Sequence, residues 1–323
     1  MSLFADLLGV FLNGLQAGAI YILVAIGLSI ILGTLKFVNF AHGALYLVGA
    51  YAGLLIANEV SLSNGLLQRY GYDTVGLGWG FLPALVIVPA LVFVVGLAME
   101  RYLARPFYDR SDLDQILVTF GLAIIVQEAV RVLFGGQSIN FRRPGWASGP
   151  VALPVVGNFP KWRLYVIAIT AVLVLLVFLL VEYTDFGLVV RAGTRDPEMV
   201  QLLGIKLTRP YIVMFAIGAA LAGVAGVVGA PLENVNPSIG METLVPAFLV
   251  VVIGGVGSIR GAVVGGAAVG MVYAILVGAP LASIPVIGGA LSWSAWSQVG
   301  IYALAAVVLL LRPEGLFGSE EVS

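Results

Sequence analysis

Apolar residues dominate this chain in runs of about 20, long enough for a helix to cross a bilayer's hydrocarbon core. The runs lie near 8–33, 38–57, 79–99, 115–134, 163–183, 211–230, 243–256, 262–280 and 296–311. The seventh is short and ends in Gly254-Gly255-Val256-Gly257, so a broken or re-entrant segment is expected there. With 60% hydrophobic and only 10% charged residues, the chain cannot be solvated as a globule. The expected fold is all-α, a polytopic transmembrane bundle of about 8–10 spans. No soluble domain or low-complexity linker separates the runs, so residues 1–323 read as one transmembrane domain. The first run has no basic stretch before it and reads as a retained span, not a cleaved signal.

Composition excludes several function classes. A net charge of −1 argues against a nucleic-acid partner. The absence of cysteine excludes disulfide and thiolate chemistry. A lone histidine, His42, with no nearby carboxylate cannot fill a metal's ligand shell, so no metal is expected. The run Gly254 to Gly261 resembles a phosphate-binding loop only superficially. No glycine in the chain is followed by lysine, so the Gly-Lys-Ser/Thr step is missing and ATP has no cradle here. No catalytic triad, zinc motif or other catalytic constellation is present, and no cofactor is expected.

Orientation follows the lysines and arginines, which favour the cytoplasmic side. Placing the loop at about 184–210 inside puts Lys36, Arg101, Arg105, Arg110, Arg191, Arg195, Lys206, Arg209, Arg260 and Arg312 there. Arg69, Arg131, Arg142, Arg143, Lys161 and Arg163 then fall outside. Trp79, Trp146, Trp162, Trp293 and Trp296 gather at the outer face, as interfacial indoles do. The N-terminus is expected outside and the C-terminus inside.

Small residues recur every four positions at Gly14/Gly18, at Gly218/Ala222/Gly226/Ala230 and at Ala262/Gly266/Gly270/Ala274. Such stripes let helix backbones approach closely and read as packing seams. A short internal echo links Val38-Asn39-Phe40-Ala41-His42-Gly43 with Val235-Asn236-Pro237-Ser238-Ile239-Gly240. In the expected topology the two copies start on opposite faces, as in an inverted repeat.

Polar residues inside the spans are the candidates for a solute path. Asn39 and His42 are three apart, share a helical face, and have Gly43 beside them to allow close approach. Asn13 and Gln16 show the same spacing beside Gly14, and their amides are costly against lipid. Each pair fits either a path lining or interhelical hydrogen bonding. Glu128 and Arg131, three apart, read as an internal pair or as Arg131 snorkelling to the interface. Glu233, Asn234, Asn236, Pro237 and Ser238, with Glu242 beyond, read as a polar outer turn that either meets an external partner or simply joins two spans.

The island from Thr184 to Arg209 contains a miniature helix with both ends marked. Asp196 is a natural N-cap, Pro197 suits the first position, Glu198 favours the positive dipole end, and Gly204 supplies a left-handed stop. Met199, Val200, Leu202 and Leu203 form its apolar side, with Arg191, Arg195, Lys206 and Arg209 around it. Such an element either lies on anionic lipid or docks in the groove of a cytoplasmic motor.

Several of these stretches together resemble the H-type permease of bacterial branched-chain amino acid ABC importers. The resemblance runs over nearly the whole chain. It is carried by Asn13 to Tyr21, Leu28 to Gly33, Val38-Asn39-Phe40-Ala41-His42-Gly43, Arg191-Ala192-Gly193, Leu202-Leu203-Gly204-Ile205, Gly218 to Gly223 and Gly254 to Gly261. It implies a type II importer-like helical fold in the bacterial inner membrane. It also implies a related second permease, cytoplasmic ATP-binding subunits and a periplasmic substrate-binding protein as partners. Asp196 to Ile205 would then be the loop that couples to the ATPase. Related permeases carry urea, short amides or other small acids. An ion-coupled transporter is the more distant alternative, and the scarcity of mid-span charges counts against it.

Overall fold

The computed structural model describes residues 3–277 and 296–318. Trp293 and positions 278–280, the end of the eighth predicted run, lie outside the described residues. In chain order the α-helices are α1 Leu3–Leu35, α2 His42–Ala57, the single-turn α3 Leu66–Arg69, α4 Phe81–Met99, α5 Asp112–Phe134 and α6 Lys161–Tyr183. They continue with α7 Asp185–Arg195, α8 Pro197–Leu202, α9 Thr208–Gly229, α10 Ile239–Gly254, α11 Ile259–Val277 and α12 Ser297–Leu311. Among the described residues, six helices are long and apolar enough to cross a membrane, and α2, α10 and α12 are shorter apolar helices. Together these nine account for the nine predicted runs. Among the described residues the strands are confined to two small antiparallel hairpins in loops, β1 Val60–Ser61 with β2 Thr74–Val75 and β3 Pro150–Leu153 with β4 Gly157–Pro160.

Burial sorts the helices into a core and a rim. The apolar windows of α1 and α9 are 72% and 78% buried, against 17% for α5 and α6. The predicted small-residue stripes are the seams of that core. Gly14 and Gly18 of α1 lie against Gly270 and Gly266 of α11, and Gly27 lies against Gly218 of α9. At the last crossing a Cβ on Gly27 would sit 2.6 Å from the Gly218 carbonyl oxygen, and one on Gly218 would sit 2.7 Å from that of Gly27. Backbones this close exchange dispersion contacts along their whole length, which is what holds helices together in lipid.

The packing is reciprocal between the two halves of the chain. α1 packs antiparallel on α11, and α9 packs on α4 in the same manner, with Gly96 against Ala219 and Val92 against Gly223. α1 and α9 run in opposite directions. The echoed motifs come together, because Gly43 near the start of α2 abuts Gly240 near the start of α10.

The second run departs from expectation in one respect. Only residues from His42 onward are helical, while 36–41 run as non-helical chain after a turn at Lys36, whose φ is +48°. His42 meets the carbonyl of Val24, which lies roughly three helical turns before the end of α1. The irregular segment is therefore deep inside the bundle. Such backbone survives away from water only where the protein supplies partners. α5 supplies them, as Val38 N–H donates to Gln115 Oε1 at 3.0 Å and Phe40 N–H to Thr119 Oγ1 at 3.0 Å. Those requirements outweigh the helical periodicity of residues 38–41.

Candidate functional site

Two features on opposite ends of the bundle carry the polar chemistry. The first is the loop between α6 and α9. It holds two helices, where the sequence reading placed one. α7 is capped by Thr184, whose Oγ1 accepts from Gly187 N–H at 3.1 Å. Gly187 is needed because α7 turns sharply against the end of α6, and a Cβ there would strike the Val181 carbonyl. Arg191 reinforces the turn, pairing with Glu182 at 3.1 Å and donating to the same Val181 carbonyl. Glu182 thus ties the end of α6 to the loop while staying partly solvated.

α8 is built as predicted. Asp196 Oδ1 accepts from Met199 N–H at 2.9 Å, Pro197 opens the helix, and Gly204 stops it at φ +81°. Val190 and Val200 are buried and anchor the pair, while Tyr211 Oη donates to the Gly193 carbonyl at 2.9 Å. Arg195 projects into solvent. The predicted apolar side divides. Val200 faces inward, but Leu202 and Leu203 remain 82% and 72% exposed, with Met199 and Ile205 exposed beside them. An exposed apolar tip held out by two capped helices fits either a partner's groove or a lipid surface.

The second feature is a cavity of about 660 Å³ at the end of the bundle opposite α7 and α8. Asn13, Gln16, Ala17 and Tyr21 of α1 line it, with Tyr46 of α2, Glu242 and Thr243 of α10, and Arg163 of α6. Arg143 and Glu233 enter from loops at the same end of the bundle. Asn13 Oδ1 accepts from the Arg163 guanidinium and fixes its direction. Arg143 Nε donates to the Pro231 carbonyl at 2.8 Å, and Ile139 bridges Val235, so the loop before β3 is tied to the turn carrying Glu233. Arg143 and Glu233 also line an adjoining outer cavity of about 700 Å³, which places them at the mouth. Partial desolvation by the cavity wall, reinforced by the nearby Glu242, raises the Glu233 carboxyl above its ordinary value, although the residue stays open to water at the mouth.

The predicted path residues therefore separate. Asn13 and Gln16 line the cavity, while Asn39, His42 and Gly43 are buried at the helix crossing. His42 Nε2 lies 3.2 Å from the Val24 carbonyl, an acceptor, so the ring proton sits on Nε2. Its ring fills the notch left by Gly27. His42 Nδ1 and both ends of the Asn39 amide have no hydrogen-bond partner among the described residues. Tyr21, Tyr46, Arg143, Arg163, Glu233, Glu242 and Thr243 were not singled out as site residues by sequence. They come from segments far apart in the chain, and only the tertiary fold brings them together.

A multi-pass helical bundle with a polar vestibule at one end and a capped helix with an exposed apolar tip at the other has the architecture of a transport permease. Residues 10–309 match the family described as "Branched-chain amino acid transport system / permease component", and the chain belongs to that family. It is 31% identical to the high-affinity branched-chain amino acid transport system permease protein LivH of Escherichia coli K12, over 96% of this chain and 95% of that protein. It is 30% identical to the corresponding permease BraD of Pseudomonas aeruginosa, with the same coverage. A more distant likeness, 26% identity over 81% of this chain and 73% of the relative, is to the fructose import permease protein FrcC of Rhizobium meliloti. No solved structure matches the chain.

Proposed function

We propose that this chain is the membrane-spanning permease subunit of an ABC importer for branched-chain amino acids in a bacterial inner membrane. Family membership and the relatives named for branched-chain amino acids support the substrate class. The words "system" and "component" in the family description fit a chain that works with other subunits. The partners are a second, related permease, cytoplasmic ATP-binding subunits and a periplasmic substrate-binding protein. ATP is hydrolysed by the cytoplasmic subunits, because this sequence carries no Gly-Lys-Ser/Thr step of its own.

The observation that carries this reading is the exposed Leu202–Leu203 tip on capped helices α7 and α8. Closure of the ATPase pushes on Asp196 to Ile205, and the rigid turn at Gly187 passes the movement to α6 and α1. Arg191, Arg195, Met199, Leu202, Leu203 and Gly204 serve this coupling. Asn13 and Gln16 line the outer part of the solute path, and rearrangement around Asn39, His42 and Gly43 opens its buried part. The chain acts as one transmembrane domain. Uptake of L-leucine by proteoliposomes holding the complex is the test. Deleting residues 196–204, or placing aspartate at Met199 and Leu202, abolishes ATP-driven uptake and co-purification of the ATPase. Survival of both contradicts the coupling role.

A further inference from the structure

The vestibule holds more charge than its neighbourhood explains. In a chain with 10% charged residues, two arginines and two glutamates line this one cavity. Arg143, Glu233 and Glu242 are open to water at the vestibule and Arg163 is half-buried, so all four are accessible to a solute. Opposite charges sharing one cavity gain by pairing. They do not pair. Among the described residues the ion pairs are Glu128–Arg131 and Glu182–Arg191, and neither touches the cavity. Other contacts hold the charges apart. Asn13 orients Arg163, the Pro231 carbonyl holds Arg143, and Glu242 sits in the first turn of α10.

From this arrangement we infer that the vestibule is a low-affinity binding site for a free amino acid zwitterion. Arg163, directed by Asn13, meets the α-carboxylate, and Glu242 with Glu233 meets the α-ammonium. A bound zwitterion satisfies both signs at once through charge-assisted hydrogen bonds, which a neutral sugar or a singly charged acid cannot do. Ile20, Pro246 and Ile301 supply an apolar wall beside the charges, suited to an aliphatic side chain. A volume of about 660 Å³ admits such a solute together with water, which suits transient passage. The inference rests on the proposed amino acid import. It adds that the permease itself, and not only an external binding protein, discriminates by charge.

The natural sequence has no cysteine, so Ala17→Cys places this chain's sole thiol in the vestibule wall, one helical turn from Asn13. In membrane vesicles carrying the complex, without the external binding protein, the rate at which a water-soluble methanethiosulfonate modifies that thiol is measured on this chain. Saturating L-leucine is expected to slow modification about tenfold, while 4-methylpentanoate and 3-methylbutylamine, each keeping one charge, slow it less than about twofold. Arg163→Gln in the same background removes the protection by L-leucine, and Arg163→Lys retains part of it. Equal protection by all three compounds, or none by L-leucine in vesicles that still import L-leucine with ATP and the binding protein, overturns the zwitterion site and leaves the import function standing. A complex that imports no amino acid overturns the import function itself, and the site with it.

Discussion

Gly43 and Gly240 touch backbone to backbone where the starts of α2 and α10 meet, and a Cβ on Gly43 would lie 2.6 Å from the Gly240 carbonyl oxygen. The contact is reciprocal, since a Cβ on Gly240 would strike the Gly43 carbonyl. The two residues hold equivalent places in the echoed motifs. The echo thus marks the point where the two halves of the chain lock together. Replacing either glycine by valine forces overpacking at this crossing. A loss of about 1–3 kcal/mol is expected for each. Thermal unfolding in detergent should show a lowered Tm for Gly43→Val and Gly240→Val, while Gly121→Val, with open space around its Cβ, should match the parent.

The coupling element separates docking from folding. Leu202→Asp and Leu203→Asp alter exposed side chains, so the Tm should stay at the parent value while ATP-driven uptake is lost. Asp196→Ala removes the cap on Met199 N–H and should loosen α8 by about 1 kcal/mol, giving partial uptake. Uptake rates and Tm measured on the same preparations check both statements.

This region also shows what the sequence made legible. The ends of α8 were readable because Asp196, Pro197 and Gly204 act locally. α7 was not, since Asp185 to Arg195 contains two glycines and two valines, which are poor helix formers. Its helix depends on Gly187 against α6 and Gly193 against Leu207 and Tyr211. The spans were legible for a similar reason, as lipid imposes length and apolarity on each one separately. The vestibule was hidden because its charges come from α6, α10 and two loops, and nothing local links them to the amides of α1.

The buried end of the proposed path turns on Asn39 and His42. His42→Gln and Asn39→Ala should lower L-leucine uptake about tenfold, with a smaller fractional effect on stability. A fall in Tm with transport unchanged would assign both residues to packing alone.

Glu233 gives a pH signature with a defined sign. Its carboxyl is raised above the ordinary value of 4.5, so the folded chain holds this proton more tightly than the unfolded one. Ionisation therefore works against folding, and the contribution weakens as pH rises from 4.5 through the raised value. Glu233→Gln should match the parent at about pH 4 and become slightly more stable toward pH 7. The difference is small because water reaches the carboxyl. Paired thermal melts across that range test it, and a pH-independent difference would contradict the desolvation.

The most direct test of the whole account uses Leu202→Cys, again the sole thiol of this chain. Its labelling by a membrane-impermeant maleimide is followed in sealed vesicles of each orientation, with and without the ATP-hydrolysing subunits. The account predicts labelling only from the cytoplasmic side, and strong protection once those subunits are bound. Labelling from the outer side, or labelling unchanged by the subunits, would contradict it.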